Sequence, residues 1–374
     1  MKIKSVKVTP VRVPATRIGI MSRDKRTHAA RTIVEVETDC GITGVGETRG
    51  EWSAAIIEEK FVPHLTGMDP SDMAAARDRC LDFNSDDGFP EQLLETNAFA
   101  AIDLALWDIA GKEAGKPVFD LLGGLAREEA AFVAYAYTVD PDDGHSEAEI
   151  PDVMAKVATD AVARSGPRMF EFKVGRYSID CEIATIRRVR QALGADIDLA
   201  IDANKGYSLQ QASSLLSGID DCRIANFEEP VRELADMAAL RAQFDVPVST
   251  HCINLDALRH YPRIDGVVSD LHLHGGISST LKFIDTVNGI GKAFWLRSTW
   301  ELGVSWAAMC QLALAVPTMQ RPSQTLIDWV ADDLLINSEW QIVHGVVHPV
   351  YKPGLGVELN HAALERYASG SWHN

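Results

Sequence analysis

Six short apolar stretches between residues 168 and 299 end in side chains that can bind a metal or move a proton. RMFEFKVG carries Lys173, IDLAIDAN carries Asp202 with Asn204 and Lys205 just after it, and RIANFEEP carries Glu228 and Glu229. VPVSTHC ends in His251 and Cys252, DGVVSDLHLHGG holds Asp270, His272 and His274, and KAFWLRST ends in Arg297 and Ser298. Lys173 follows Phe170 and Phe172 and precedes Val174. Its amine is expected to be partly desolvated, which suits a general base near neutral pH. Asp202, Glu228 and His251 would put one candidate ligand on each of three consecutive strands. A trio of that kind, completed by water and substrate, is how a barrel would hold a divalent ion. Two carboxylates suit Mg²⁺ or Mn²⁺, and an imidazole shifts the preference toward Mn²⁺, Fe²⁺ or Zn²⁺. Singly, the same residues have plainer readings. Asp202 could cap a helix, and Glu228–Glu229–Pro230 could be an exposed loop. Six in succession match a purely structural barrel poorly.

Elements that could position these residues follow from the hydrophobic rhythm. Residues 1–50 alternate with period two in IKSVKVTPVRVP and TIVEVETDCGITGVGET, which predicts an antiparallel β-meander. Between them RIGIMSRDKRTHAAR reads as a polar loop carrying Arg17, Arg23, Lys25, Arg26 and His28. Residues 53–125 turn helical, with Phe99, Ile102, Leu106 and Ile109 on one face and a Gly-Gly stop. From 126 to 349 strands alternate with amphipathic segments such as CEIATIRRVRQALG. Seven such units predict a parallel β/α barrel, whose chemistry lies at the carboxyl ends of its strands. No G-x-G-x-x-G opens any helix, and YKPGLGVELNHAALERYA, within 350–374, reads as a return to the first domain.

Composition narrows the partners. Hydrophobic residues at 46% and charged residues at 24% are ordinary for a globular chain, and no apolar run is long enough to span a bilayer. The net charge of −17 disfavours nucleic acid and anionic membranes, so an anionic small substrate would need local cations or a metal. Six scattered cysteines without a C-x-x-C pair, and an amino terminus that alternates like a strand, lead us to expect a reducing cytoplasm.

Taken together, GITGVGETRG, ALWDIAGKEAGKPVFDLLGG, FKVG, DANKGYS, FEEP and PGLGVEL resemble the enolase superfamily, on its mandelate racemase, muconate lactonizing and glucarate dehydratase side, over nearly the whole chain. The resemblance implies a (β/α)7β barrel under an α+β capping domain. It also implies a divalent metal, usually Mg²⁺, that binds a substrate carboxylate while a base removes the α-proton. By position Lys173 matches the base lysine of K-x-K, and Asp202 and Glu228 match the first two metal ligands. His251, four residues after Pro247, matches the third ligand, and Cys252 beside it is read as a small packing residue. Asn204 and Lys205 fall where the family faces substrate or metal, and Asp270 falls at the aspartate of the His/Asp dyad. His28 stands much as a histidine does in glucarate dehydratases, though a solvated surface loop is the plainer reading. Homo-oligomers are common in the family, and one is expected here.

Three departures shape the expected chemistry. The first lysine of K-x-K is Glu171, which would point to the same side as Lys173 and could bridge to another cation. Arg297 and Ser298 stand where the dyad histidine is expected, and the third ligand is an imidazole. Racemisation needs an acid/base group on each face of the α-carbon. With only Lys173 in a familiar place, the chain is expected to be a lyase: Lys173 takes the α-proton of a hydroxy or sugar acid and a β-hydroxyl leaves. His272 or His274 could supply the second face if turned inward, which would make the protein an epimerase, racemase or cycloisomerase. A binding protein that has lost the dyad, or a Schiff-base aldolase, are the readings from other classes.

Overall fold

The structure is a computed structural model. It describes residues 1–22, 24–81 and 90–370, apart from the side chains of 90–92. Arg23 and residues 82–89 of the predicted helical region lie outside the described residues.

Strand β1 (Ile3–Ile20) runs antiparallel to β2 (Lys25–Thr38), which pairs antiparallel with β3 (Thr43–Arg49). The segment expected as a loop is therefore mostly hairpin. Gly19 pairs with Arg26 and Ile20 with Lys25, after a register shift between Pro14 and Gly19, and Met21 N–H closes the turn on Asp24 O at 2.9 Å. A hairpin ladder satisfies backbone groups whatever the outward residues are, so the charged side chains here do not mark a loop. His28 is thus a strand residue.

One helix, Pro90–Ala114, lies across this sheet. Phe99, Ile102, Leu106 and Ile109 are all buried, in one apolar cluster with Val34, Val36 and Phe61. The alternating glycines of GITGVGE are explained here. A Cβ on Gly46 would run into the backbone carbonyl of Ala101, and one on Gly44 into that of Ala105. Neither obstacle is a side chain that can swing away, so Gly46→Ala is expected to destabilise the protein by about 3 kcal/mol, measurable as a shift of the urea midpoint. Asp108, at the buried centre of ALWDIAG, accepts from Val45 N (2.9 Å), Leu355 N (2.8 Å) and Lys112 Nζ (2.7 Å). It ties helix, sheet and carboxyl-terminal segment together. That segment continues to a helix at His361–Tyr367, and Ser369 N–H bonds Pro10 O at 2.9 Å.

Seven parallel strands follow: β4 (Ala134–Ala136), β5 (Met169–Lys173), β6 (Asp198–Asp202), β7 (Ile224–Glu228), β8 (Val248–Thr250), β9 (Gly266–Ser269) and β10 (Ala293–Leu296). They hydrogen-bond in chain order. Ser323–Gln324 closes the ring as the eighth strand position. Gln324 N–H donates to Leu296 O (2.8 Å), Ser323 N–H to Ala131 O (3.1 Å) and Val133 N–H to Ser323 O (3.0 Å). The fold is α/β, a (β/α)7β barrel capped by an antiparallel sheet. Among the described residues no helix is long and apolar enough to cross a membrane.

One predicted strand is shorter than expected. Strand β9 stops at Ser269, and Leu271–His274 is a helical turn capped by Asp270, which accepts from His272 N (3.1 Å) and Leu273 N (3.0 Å). The capping carboxylate and the left-handed Gly275 end the strand where the apolar run alone would have carried it on.

Candidate active site

Parallel register sets the first three chemical groups side by side. Lys173 pairs with Asp202 and Asp202 with Glu228, each the last residue of its strand. His251 follows Thr250 at the end of β8, and Glu228 pairs with Ser249 one strand over. Period-two alternation puts Lys173 and Glu171 on the opposite side of β5 from Phe170 and Phe172. Lys173 is buried, and its ammonium pairs with Asp202.

Donor atoms of Asp202, Glu228 and His251 all lie within 4.8 Å of one another, and His251 Nε2 is 2.7 Å from Glu228 Oε1. Burial raises the pKa of Asp202, opposed by Lys173, and raises that of Glu228 likewise. Burial and then Arg297 push His251 down to about 4, so it is a neutral imidazole, the form that ligates metals. Asn204 donates to Asp202 Oδ2 at 3.2 Å, and its own Oδ1 is buried without a partner beside the trio. Two buried carboxylates, a neutral imidazole and an unpartnered amide oxygen fit a divalent cation. Glu229 shapes this arrangement from behind, accepting from His251 N–H (2.8 Å) and Thr250 Oγ1 (2.6 Å). Lys205, expected to face the substrate, instead pairs with Glu229 at 2.9 Å and is not among the cavity residues.

The trio opens into a cavity of about 200 Å³ whose lining includes Lys173, Asn204, Glu228, His251, Arg297 and Ser298. Arg26 and Arg49 add two guanidinium groups from the capping sheet. His28 lines a neighbouring cavity that shares Arg26, Arg49, Thr299 and Trp300 with the first. Asp270 stands behind the wall: Arg297 Nε (2.9 Å) and Nη2 (2.8 Å) both donate to its Oδ2. Burial alone would raise the Asp270 pKa, but Arg297, helped by His272, holds it well below the usual carboxylate range. His272 and His274 do not turn into the cavity. His272 packs toward the capping sheet, and His274 bonds Ser269 Oγ at 2.8 Å and stacks on Phe283.

Several cavity residues escaped the sequence reading. Gln324 Nε2 donates to both Glu171 Oε1 and Glu228 Oε2 at 2.7 Å, so Gln324, rather than a cation, holds Glu171. Burial, with Glu228 and Asp202 close by, raises the Glu171 pKa well above the usual carboxylate range. Nothing periodic marks the strand that carries Gln324. Tyr135 and Tyr137 were detectable, since AYAYTV alternates and sends both rings to one face.

The enolase C-terminal domain-like family model matches residues 153–363, and that of the mandelate racemase/muconate lactonizing enzyme N-terminal domain matches residues 3–123. The chain belongs to the enolase superfamily. It is an enolase-superfamily enzyme, and the family's shared chemistry is removal of a proton next to a carboxylate. A probable glucarate dehydratase of Streptomyces coelicolor is 26% identical, covering 97% of this chain and 90% of its own length. A D-galactarolactone cycloisomerase of Agrobacterium fabrum is 29% identical, with 93% of each chain covered. An enolase structure from Thermobispora bispora, complexed with magnesium and formate, superposes with a TM-score of 0.88 at 27% identity, covering 98% of this chain and 92% of that one. Dehydratase and cycloisomerase relatives at similar identity place the superfamily, with the reaction subtype left to the site itself.

Proposed function

We propose that this protein is a metal-dependent lyase that removes the α-proton of a small carboxylate and eliminates a β-hydroxyl, with a sugar acid as substrate. The observation that carries the reading is the pairing of Arg297 with Asp270 where a second acid/base group would stand. A guanidinium stays protonated throughout the accessible pH range, so it can bind an anion or donate to an oxygen but cannot take a proton from carbon. Lys173 ends the second barrel strand and Arg297 follows the seventh, so the two reach the cavity from well-separated positions. One base favours elimination over racemisation.

In this reading the neutral amine form of Lys173, reached once its proton has passed to solvent, accepts the α-proton at Nζ, and the C–H electron pair forms the new double bond as the β C–O bond breaks. The departing hydroxide and the proton taken up by Lys173 together make the water released. Arg297 offers its remaining N–H groups to the substrate's oxygens beside Ser298, whose hydroxyl donates to Glu301 Oε2 at 2.6 Å, and Arg26 and Arg49 supply positive charge on the capping side. Asp202, Glu228 and His251 would hold the metal. Mg²⁺ is favoured by the two carboxylates and by the magnesium in the Thermobispora structure, with Mn²⁺ or another transition metal favoured by the imidazole. A bound divalent ion would supply Lewis-acid charge to the substrate carboxylate as negative charge develops there.

A screen of sugar acids with Mg²⁺ or Mn²⁺, scored for loss of water, should find turnover that depends on added metal. Run in D₂O, the reaction should leave recovered substrate with its original configuration. Deuterium at the α-carbon with inversion would overturn the lyase reading in favour of a racemase or epimerase.

A further inference from the structure

Behind Arg297 a row of buried polar side chains crosses from the barrel into the capping sheet. His272 Nδ1 lies 3.3 Å from Asp270 Oδ1, the carboxylate whose other oxygen holds Arg297. On the opposite side of the imidazole, Nε2 is 2.8 Å from Arg31 Nη2. Arg31 Nε donates to Glu47 Oε1 at 2.7 Å, and Glu47 accepts the backbone N–H groups of Leu302 and Ser305 at 2.8 Å each. Arg31, Glu47, Asp270 and His272 are each at most 2% exposed.

The donors fix the state of the ring. A guanidinium can only donate, so the nitrogen facing Arg31 must be the unprotonated one. With Nε2 unprotonated, the ring's single proton sits on Nδ1, which lies 3.3 Å from Asp270 Oδ1 and 3.4 Å from Thr299 Oγ1, and burial and the Arg31 charge both lower the His272 pKa in the same sense. Ser305 Oγ, 2.9 Å from Nε2, can donate to the same lone pair and supports the same tautomer.

We propose that His272 is a positioning residue for Arg297: Arg31 of the capping sheet sets its tautomer, its Nδ1–H holds Asp270, and Asp270 fixes the direction in which Arg297 enters the cavity. Arg31 and Glu47 thereby act on a cavity they do not line. A side chain held from one end only would sample several rotamers. Here both Asp270 oxygens are engaged, one by Arg297 and one by His272 together with the backbone of the turn it caps. The inference rests on reading this cavity as the active site, and its test needs no substrate, so the two can fail separately.

In ¹⁵N-labelled protein His272 is expected to show an unprotonated Nε2 across neutral pH, with its signals assigned by their loss in His272→Asn. The Arg297 Nε–H resonance, assigned through Arg297→Lys, should exchange with solvent about 10-fold faster in His272→Leu than in wild type. His272→Asn, whose amide N–H replaces the Nδ1 donor, should restore slow exchange at the same melting temperature. A protonated Nε2, unchanged exchange in His272→Leu, or equal acceleration in both variants would overturn the inference. The tautomer is read in the wild-type protein, so a protonated Nε2 overturns the inference even if His272→Leu does not fold.

Discussion

Lys173→Ala is expected to lower kcat by about 10³- to 10⁴-fold, the span a positioned general base contributes, while metal is retained. The two outcomes are linked through Asp202. Lys173 is the cation that pairs with Asp202 in this structure, and the same carboxylate belongs to the candidate ligand trio. Removing the ammonium leaves Asp202 buried with one fewer positive neighbour, which strengthens its demand for a metal cation. Metal analysis of the purified variant beside steady-state kinetics checks both halves. Loss of activity with loss of metal would make Lys173 a structural counter-ion, and unchanged activity would remove it from the chemistry altogether.

His251→Ala is the second large effect, and it strikes metal affinity rather than the proton transfer. Removing outer groups that merely orient a metal ligand typically costs 10- to 100-fold in affinity. Loss of a ligand itself should therefore weaken binding by more than about 100-fold, read by titration of the apo-protein with Mn²⁺. Glu228 would also lose the Nε2 contact at 2.7 Å, so the variant leaves a buried carboxylate less well matched. Asn254, three residues further on, serves as a helix cap: its Oδ1 accepts from Ala257 N–H at 3.0 Å. If affinity survives in His251→Ala, the group to suspect is Asn204, whose Oδ1 is buried and unpartnered.

The clustering of the candidate ligands was readable from the chain because a parallel barrel presents strand ends in sequence order. Once three strands are recognised, their terminal residues must be neighbours, and Asp202, Glu228 and His251 are. The alternating glycines of GITGVGE and the buried aspartate of ALWDIAG were visible as motifs, but their causes were not. Gly46 is required by a carbonyl of a helix some fifty residues away, and Asp108 by backbone N–H groups on two other segments. The hairpin was misread as a loop because its outward face is charged, and strand content there comes from pairing rather than from composition.

What the sequence determined by itself was the barrel, its cap and the identities at the strand ends, since these depend on local period and on chain order. Which of those residues share a cavity was decided only by the tertiary structure. Asp270 and Lys205 end strands or follow them as Lys173 and Asn204 do, yet one stands behind Arg297 and the other turns to Glu229. His272 lies two residues from Asp270 and still faces the cap, because a carboxylate-capped turn rotates it out of the strand's alternation. Gln324 comes from a segment with no chemical signature and arrives through barrel closure, and Arg26 and Arg49 reach the cavity through the seating of the cap. A strand end sets where a side chain begins, and the partners packed around it set which way its charge points.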